Sequence, residues 1–353
     1  MSYLAGKIVL AVEAGAPNNG KSENTTTTPV KYARVRGRIH PYVSAQAFRR
    51  WVRDTMTAAG SVPSTVERVG KAQGKAQKAT TAADPARFAD DDLFGYMKAA
   101  AKSKDDATTL RDSPFMVGTF MSVEPVRVTE DFGVMSRGID EPVLHSHQFY
   151  TADLAAPFLL DLPRVGTFTL AGKKGGKANY LSKQEAMKAA AAIEAGATMV
   201  SFRGQQALRL PLETRRERVA LLLEAIADLA GGAKKALHYG DRTPALVALV
   251  PMAGGVNPLG FVVDGAEDGS GLRVRGDVLA QELEAWQGQW EMPVRIGWRP
   301  GFRDRARKEF DNQAAPLVGG GRVVMDHPRP LLRGLAEEIR AGACDHWFDD
   351  PQR

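Results

Sequence analysis

Cysteine is almost missing from this chain: Cys344 stands alone among 353 residues. One thiol excludes an intrachain disulfide and any zinc site built from several cysteines. A reducing, cytoplasmic setting is therefore the default expectation. Long apolar runs are missing too. None approaches the ~20 residues that a membrane helix needs. Met1 to Val12 carries one lysine and a short apolar run ending at Glu13, which is not the pattern of a signal peptide. No membrane partner is expected. Globally, neither sign of charge is scarce: 47 Lys and Arg face 41 Asp and Glu, for a net charge of +6. That excess allows a polyanion partner without requiring one. Locally the balance breaks. Lys31 to Arg53 holds seven basic residues and no acidic one.

Metal ligands are sparse. His145 and His147, two apart, would share a face of a strand. With no carboxylate at the usual ligand spacing they read as hydrogen-bonding histidines, and no metal or cofactor site is expected.

Lys7 to Val12 reads as a buried strand, 13 to 30 as a loop and Arg34 to Ile39 as a second strand. A helix starts near Ser44 and runs to about Ala59. Residues 60 to 90 are polar and alanine-rich, with Lys71, Lys75 and Lys78 interspersed. Phe115 to Val123 and Phe158 to Leu170 read as strands, flanking a charged extended hairpin over Glu124 to His145. Gly172 to Lys177 reads as a flexible basic loop. Helices are expected near Ser182 to Ala195, Leu212 to Ala230 and Leu331 to Ala341, and strands near Ala245 to Val250 and Gly260 to Val263. Strands and helices mix without strict alternation, so the fold class is α+β with large insertions.

Within the basic segment, position matters more than count. If Arg34 to Arg38 is extended, Arg34, Arg36 and Arg38 line one side. Ser44 suits an N-cap. From there Phe48, Trp51, Val52 and Thr55 fall on one helical face, and Gln46, Arg49, Arg50 and Arg53 on the other. A helix N-terminus and arginine forks both suit phosphate. The competing reading is a solvated face whose arginines pair with acids elsewhere. Both stand at this point.

Residues 35 to 53, Val-Arg-Gly-Arg followed by Val-Ser-Ala-Gln-Ala-Phe-Arg-Arg-Trp-Val-Arg, resemble the N-terminal signature of Cas7 proteins. These are backbone subunits of type I CRISPR complexes, and the likeness is to their DevR/Csa2 branch. Three further segments agree in order: Asp92-Leu93-Phe94-Gly95-Tyr96-Met97, His147-Gln148-Phe149-Tyr150 before Phe158 to Phe168, and Gly231-Gly232-Ala233-Lys234-Lys235-Ala236 before Pro244. The resemblance covers roughly residues 5 to 260. It implies a modified RRM-like, ferredoxin-like palm with finger and thumb insertions. The divisions would be 1–60 (first palm part), 61–114 (finger), 115–123 (palm strand), 124–146 (thumb hairpin), 147–265 (remaining palm) and 266–353 (C-terminal extension).

The resemblance also implies partners: CRISPR RNA, target DNA through guide pairing, further Cas7 copies in a filament, Cas5 and a large Cas8-type subunit. By position, Lys31 would contact RNA backbone, as would Ser44, Gln46, Arg49 and Arg53 on the helix and Lys234 and Lys235 in a basic loop. Arg34, Arg36, Arg38 and Arg50 share the basic segment, and Lys21 lies in an Asn- and Gly-rich loop of the kind that faces RNA. Phe132, Val134 and Met135 are the apolar candidates for a base-displacing wedge, although core packing would equally use them. The palm lacks the aromatic pattern by which ordinary RRMs stack bases, and no catalysis is expected.

Two enzymatic readings compete. Gly15 to Ser22 fits the P-loop pattern G-x-x-x-x-G-K-[ST] after a predicted strand, and Phe261-Val262-Val263-Asp264 could end a Walker B strand. However, Glu-Asn-Thr-Thr-Thr-Thr-Pro follows where a P-loop opens a helix. A type III-like RNA endonuclease would carry a catalytic aspartate in this loop, and Glu13 and Glu23 are its only acids, with no Asp.

Overall fold

The apolar N-terminal run becomes a thirteen-residue strand, Tyr3–Gly15, with both faces buried. Leu4, Ile8, Leu10 and Val12 pack into one core and Ala5 and Val9 into another, following the two-residue period of a strand. Lys7 lies in this strand, and its ammonium donates to the carbonyls of Gly260, at 2.6 Å, and Val263. Burial pushes its pKa down. The computed structural model describes residues 2–22, 26–69, 78–98, 109–138, 141–169, 178–179, 186–266, 269, 271–291 and 293–350. Lys71, Lys75, Glu23 and the basic loop Gly172 to Lys177 lie outside the described residues.

The N-terminal strand sits between Val143–Asp161 and Leu246–Met252, antiparallel to both. Phe120–Ser122 pairs with the other side of Val143–Asp161 and with Arg38–Val43. The described helices are α1 (Ala45–Ala58), α2 (Ala89–Phe94), α3 (Ala186–Glu194), α4 (Leu212–Ala227), α5 (Gly276–Ala285), α6 (Asp304–Gly319) and α7 (Pro328–Arg340). Four sheet strands with α1 and α4 follow the order strand–helix–strand–strand–helix–strand. The fourth and third flank the first in space, a split βαβ arrangement.

The last hundred residues complete this sheet. Val294–Trp298 adds antiparallel to Leu246–Met252, and Val323–Asp326 adds parallel beyond it. Phe48, Trp51 and Val52 of α1 share one core with Val219 and Leu223 of α4 and Leu335 and Ile339 of α7. Leu279 of α5 and Phe310 of α6 share the opposite core with Ile296 and Trp298. Both faces are therefore covered.

Several expected boundaries shift. Arg34 to Ile39 is not one strand. Tyr32–Val35 and Arg38–Val43 form a hairpin whose turn is Arg36 and Gly37, at φ of 50° and 79°. A two-residue turn with both φ positive matches the twist of a hairpin, and Gly37 makes it accessible. Phe158 to Leu170 is likewise no single strand. Its first part belongs to the nineteen-residue strand Val143–Asp161, and a 3₁₀ turn at Leu162–Arg164 precedes Thr167–Thr169. In the expected 13–30 loop, Thr27–Thr28 pairs in parallel with Ser146 and His147.

The short helix α2 carries Asp90, Asp91 and Asp92, all buried. Asp92 Oδ1 accepts from Arg111, and Oδ2 accepts from Arg218 at 2.6 Å and from the Gly166 N–H at 2.9 Å. Asp91 accepts from the Ser64 hydroxyl at 2.8 Å, and Asp90 from the Ser64 N–H at 3.0 Å. Gly95 ends the helix at φ 69°, where a Cβ would lie 2.3 Å from the Arg111 carbonyl oxygen. Only glycine fits that turn, which is the physical content of the Leu-Phe-Gly motif.

Asp92→Ala should strand two buried guanidinium groups. The expected loss is about 3–5 kcal/mol of unfolding free energy in urea titration. Asp54→Ala, which removes only a surface ion pair to Arg50, should cost at most about 1 kcal/mol. Equal effects would refute this account.

Candidate nucleic-acid interface

Helix α1 begins at Ser44, whose extended backbone and hydroxyl, accepting from the Ala47 N–H, form the N-cap. The Ser44 N–H in turn donates to Asn18 Oδ1 at 3.0 Å. Asn18 thereby ties the loop after the first strand to the helix start. Its carbonyl accepts from the Lys31 N–H at 3.1 Å, and the Gly20 N–H donates to Pro29 at 2.7 Å. A third loop joins them, because the Ala233 N–H donates to the Pro17 carbonyl at 3.0 Å. Gly231 lies against Trp51 so closely that a Cβ would sit 2.3 Å from the indole. Local hydrogen bonding thus ties the loops that carry Lys21, Lys31 and Lys234 to the start of α1, while Lys235 lines a groove along its later turns beside Asp54 and Asp228. None of these four ammonium groups has an ion-pair partner among the described residues.

The helix arginines divide. Arg50 is exposed and bound to Asp54 one turn on, at 2.7 Å. Arg53 donates to the buried Asp90 at 3.1 Å and lies 4.9 Å over the Phe94 ring. Arg49 donates to the Phe115 carbonyl at 3.1 Å, while its Nε is buried with no partner. Burial, and then the neighbouring Arg53, push its pKa down. Gln46 is exposed. The expected Gln46–Arg49–Arg50–Arg53 face therefore exists, but two of its three arginines already hold carboxylates.

Arg34, Arg36 and Arg38 are all exposed and free of ion pairs among the described residues. They do not line one side as expected. The pairing sets Val35 against Arg38 and Arg34 against Ile39, so Arg34 and Arg38 face opposite ways, and Arg36 sits at the turn. Arg34 lies 5.8 Å over the Tyr32 ring.

The extended hairpin pairs Thr129–Met135 with Val143 to Phe149. Phe132, Val134 and Met135 are 72%, 56% and 57% exposed, and Val143 and Leu144 opposite are 55% and 64% exposed. They do not pack into the core. Gly133 lies beneath the His145 ring, where a Cβ would be 2.3 Å from Nε2. At the hairpin base His147 is buried, 3.4 Å from the Asp131 carboxylate across the hairpin, with its ring 4.8 Å from that of His238. Burial first, then Lys234 and His238, lower the His147 pKa. Sequence spacing missed both neighbours. Asp131 arrives only through strand register, and His238 only through the basic loop.

Tyr42 and Gln148 were also missed. With Lys21, Lys31 and Tyr32 they line a cavity of about 480 Å³ between the first loop and the two hairpins. No carboxylate lines it among the described residues. Both residues fall within or beside the quoted motifs, but nothing in their spacing marks them.

The segments quoted for the P-loop and Walker B patterns take other shapes. The strand ends at Gly15, no helix follows Ser22 among the described residues, and the Gly20 N–H is committed to Pro29 rather than open to a phosphate. Phe261 and Val262 lie in a turn, and Val263–Gly265 pairs with Leu272–Val274 in a separate two-stranded sheet rather than joining the central one. Glu13 is exposed. No group of three or more metal-binding side chains occurs among the described residues.

No protein-family model and no curated protein sequence matches this chain. Solved structures do. A chain of a "CRISPR RNA-guided surveillance complex, pre-nicking" aligns with a TM-score of 0.56 at 12% identity, covering 97% of this chain and all of that one. A chain of a "CRISPR RNA-guided surveillance complex" aligns at 0.53 and 14% identity, again covering 97% of this chain and 100% of the other. At such identities the likeness establishes a shared α+β fold along the whole chain.

His147 should titrate below its ordinary value of 6.5 in an NMR pH series. The unfolded imidazole takes up a proton that the folded one resists. This contribution to stability is therefore present above about pH 6.5 and lost on acidification below it. A titration point above 6.5 would mean that Asp131, not burial, governs the site.

Proposed function

We propose that this chain grips a CRISPR guide RNA as a Cas7-type backbone subunit of a type I interference complex. The observation that carries the proposal is a juxtaposition. Loops that carry Lys21, Lys31 and Lys234, none of them in an ion pair among the described residues, are tied to the start of α1, and a hairpin with an exposed apolar tip stands beside them, on a fold shared with chains of CRISPR RNA-guided surveillance complexes.

The physics suits the role. Lys21, Lys31, Lys234 and Lys235 would neutralise successive phosphates and release their counterions, a gain that does not depend on base sequence. A guide varies in sequence, so its holder must read backbone rather than base edges. Phe132, Val134 and Met135 would wedge apart neighbouring bases, burying apolar surface that the isolated chain leaves in water. Arg34, Arg36 and Arg38 extend the positive field from the outer hairpin. Several copies would follow one RNA, with Cas5 and a large Cas8-type subunit completing the assembly and target DNA pairing to the exposed guide bases. In this reading the subunit binds and does not catalyse. No described helix is long and apolar enough to cross a membrane.

The purified protein should carry RNA of uniform length. Lys31→Ala and Lys235→Ala should each weaken binding equally for unrelated guide sequences. Each should lower the slope of log affinity against log salt by about 0.7. Purification without RNA, or a loss confined to particular sequences, would sink the proposal.

A further inference from the structure

Buried lysines and arginines need partners, and most of those in this chain have them. Arg111 and Arg218 hold Asp92. Arg215 spreads its donors over the carbonyls of Leu162, Pro163, Val165 and Phe348. Lys7 has the carbonyls of Gly260 and Val263. Arg242 is the exception. It is 3% exposed, and its one hydrogen bond among the described residues runs from Nη1 to the Asp241 carbonyl at 3.0 Å. Its Nε is buried with no partner, and no carboxylate pairs with it among the described residues. The Asp241 carboxylate is taken by Arg299 at 2.7 Å and by Thr243. Tyr150, paired with Gly15, buries its hydroxyl near Arg242 without a hydrogen-bond partner. Burial pushes that phenol's pKa up, so it stays neutral and supplies no countercharge.

The main chain packed on this charge belongs to the loops tied to the start of α1. A Cβ at Gly15 would lie 3.3 Å from Nη2, one at Gly232 3.4 Å from Nε, and one at Gly240 2.6 Å from Nη1. Gly15 opens the loop that runs to Lys21, and Gly232 precedes Lys234 by two residues. Burying a charge without compensation costs stability, and such groups concentrate at functional sites. We propose that Arg242 is an internal countercharge for the phosphates of bound RNA, acting across these two loops without touching the RNA. The inference rests on the RNA-gripping reading and adds to it a charge beneath the surface. Salt screens a buried charge little. At an effective dielectric of ~20, a phosphate about 10 Å away gains roughly tenfold in affinity from it. Unlike a contacting lysine, it displaces no counterion from the RNA.

The test measures binding of two unrelated single-stranded RNAs over a salt series, on the full chain and two variants, with thermal unfolding followed in the absence of RNA. Arg242→Met keeps length and removes the charge. It should unfold at the wild-type temperature or above, since apolar replacement relieves an uncompensated burial. It should bind both RNAs about tenfold more weakly, with the salt slope unchanged. Arg242→Lys keeps the charge and should keep most of the affinity. Misfolding or a lowered unfolding temperature in Arg242→Met would identify a structural pin and overturn the inference. Undiminished affinity in Arg242→Met overturns it, as does an equal loss in Arg242→Lys. A slope lowered by about 0.7 would mark direct phosphate contact and overturn it too. All of these leave the lysine grip standing. Failure of wild type to bind either RNA overturns the grip itself, and the countercharge with it.

Discussion

Asp92 is a carboxylate with no access to solvent, and its oxygens are claimed by Arg111, Arg218 and the Gly166 N–H. Removing a charge from water costs several kcal/mol, recovered only where the geometry is well satisfied. That condition fixes α2 against α4 and against the strand Thr109–Arg111. Two residues earlier Asp90 holds Arg53 of α1. The orientation of α1, and with it the position of Gln46 and Arg49, depends on a charge cluster that touches no ligand. Such networks are weak sources of net stability. Their effect here is to make one arrangement of three helices much better than its neighbours.

The same economy governs the surface. Arginines are mostly engaged: Arg303 holds Asp153, Arg340 holds Glu217 and Glu224, and Arg50 holds Asp54. The open charges in the loops tied to the start of α1 are lysines, and the free arginines lie out on the hairpin before it. A guanidinium fork invites bidentate, orientation-dependent contacts, whereas an ammonium on a flexible stem acts as a point charge. Under the proposed function, a surface of lysines backed by arginine-pinned architecture would separate two tasks, holding shape and holding a polyanion of any sequence.

Much of this was legible in the sequence, for identifiable reasons. The face of α1 could be read because Phe48, Trp51 and Val52 repeat at helical spacing, and Ser44 marked its start. The long hairpin showed itself as a charged stretch between strands. The turn at Arg36 and Gly37 was hidden, since Val-Arg-Gly-Arg alternates like a strand. Only the positive φ at both turn residues betrays it. The pairing of Arg53 with Asp90 and of His147 with Asp131 was out of reach, because register and packing, not spacing, bring those carboxylates in. The exposure of Phe132 could not be told from core burial, because an apolar residue on a strand serves either purpose. The last hundred residues resembled nothing by motif, yet they complete the sheet. Their apolar periodicity was visible, but not the strands beside which they would lie.

The first strand of the chain is central in the sheet, and the partners on either side come from residues 143 to 161 and 246 to 252. Its two hydrogen-bonding edges are therefore not both matched until residue 252 has been made. At a synthesis rate of about 5–20 residues per second that wait lasts on the order of 10–50 s. Through that interval an apolar segment with at least one open edge is presented to solvent, and its pairings are distant, which slows closure further. Lys7, in the middle of that segment, stays protonated and hydrated throughout the delay. It supplies a charge that discourages the strand from pairing with another copy of itself before its own partners emerge.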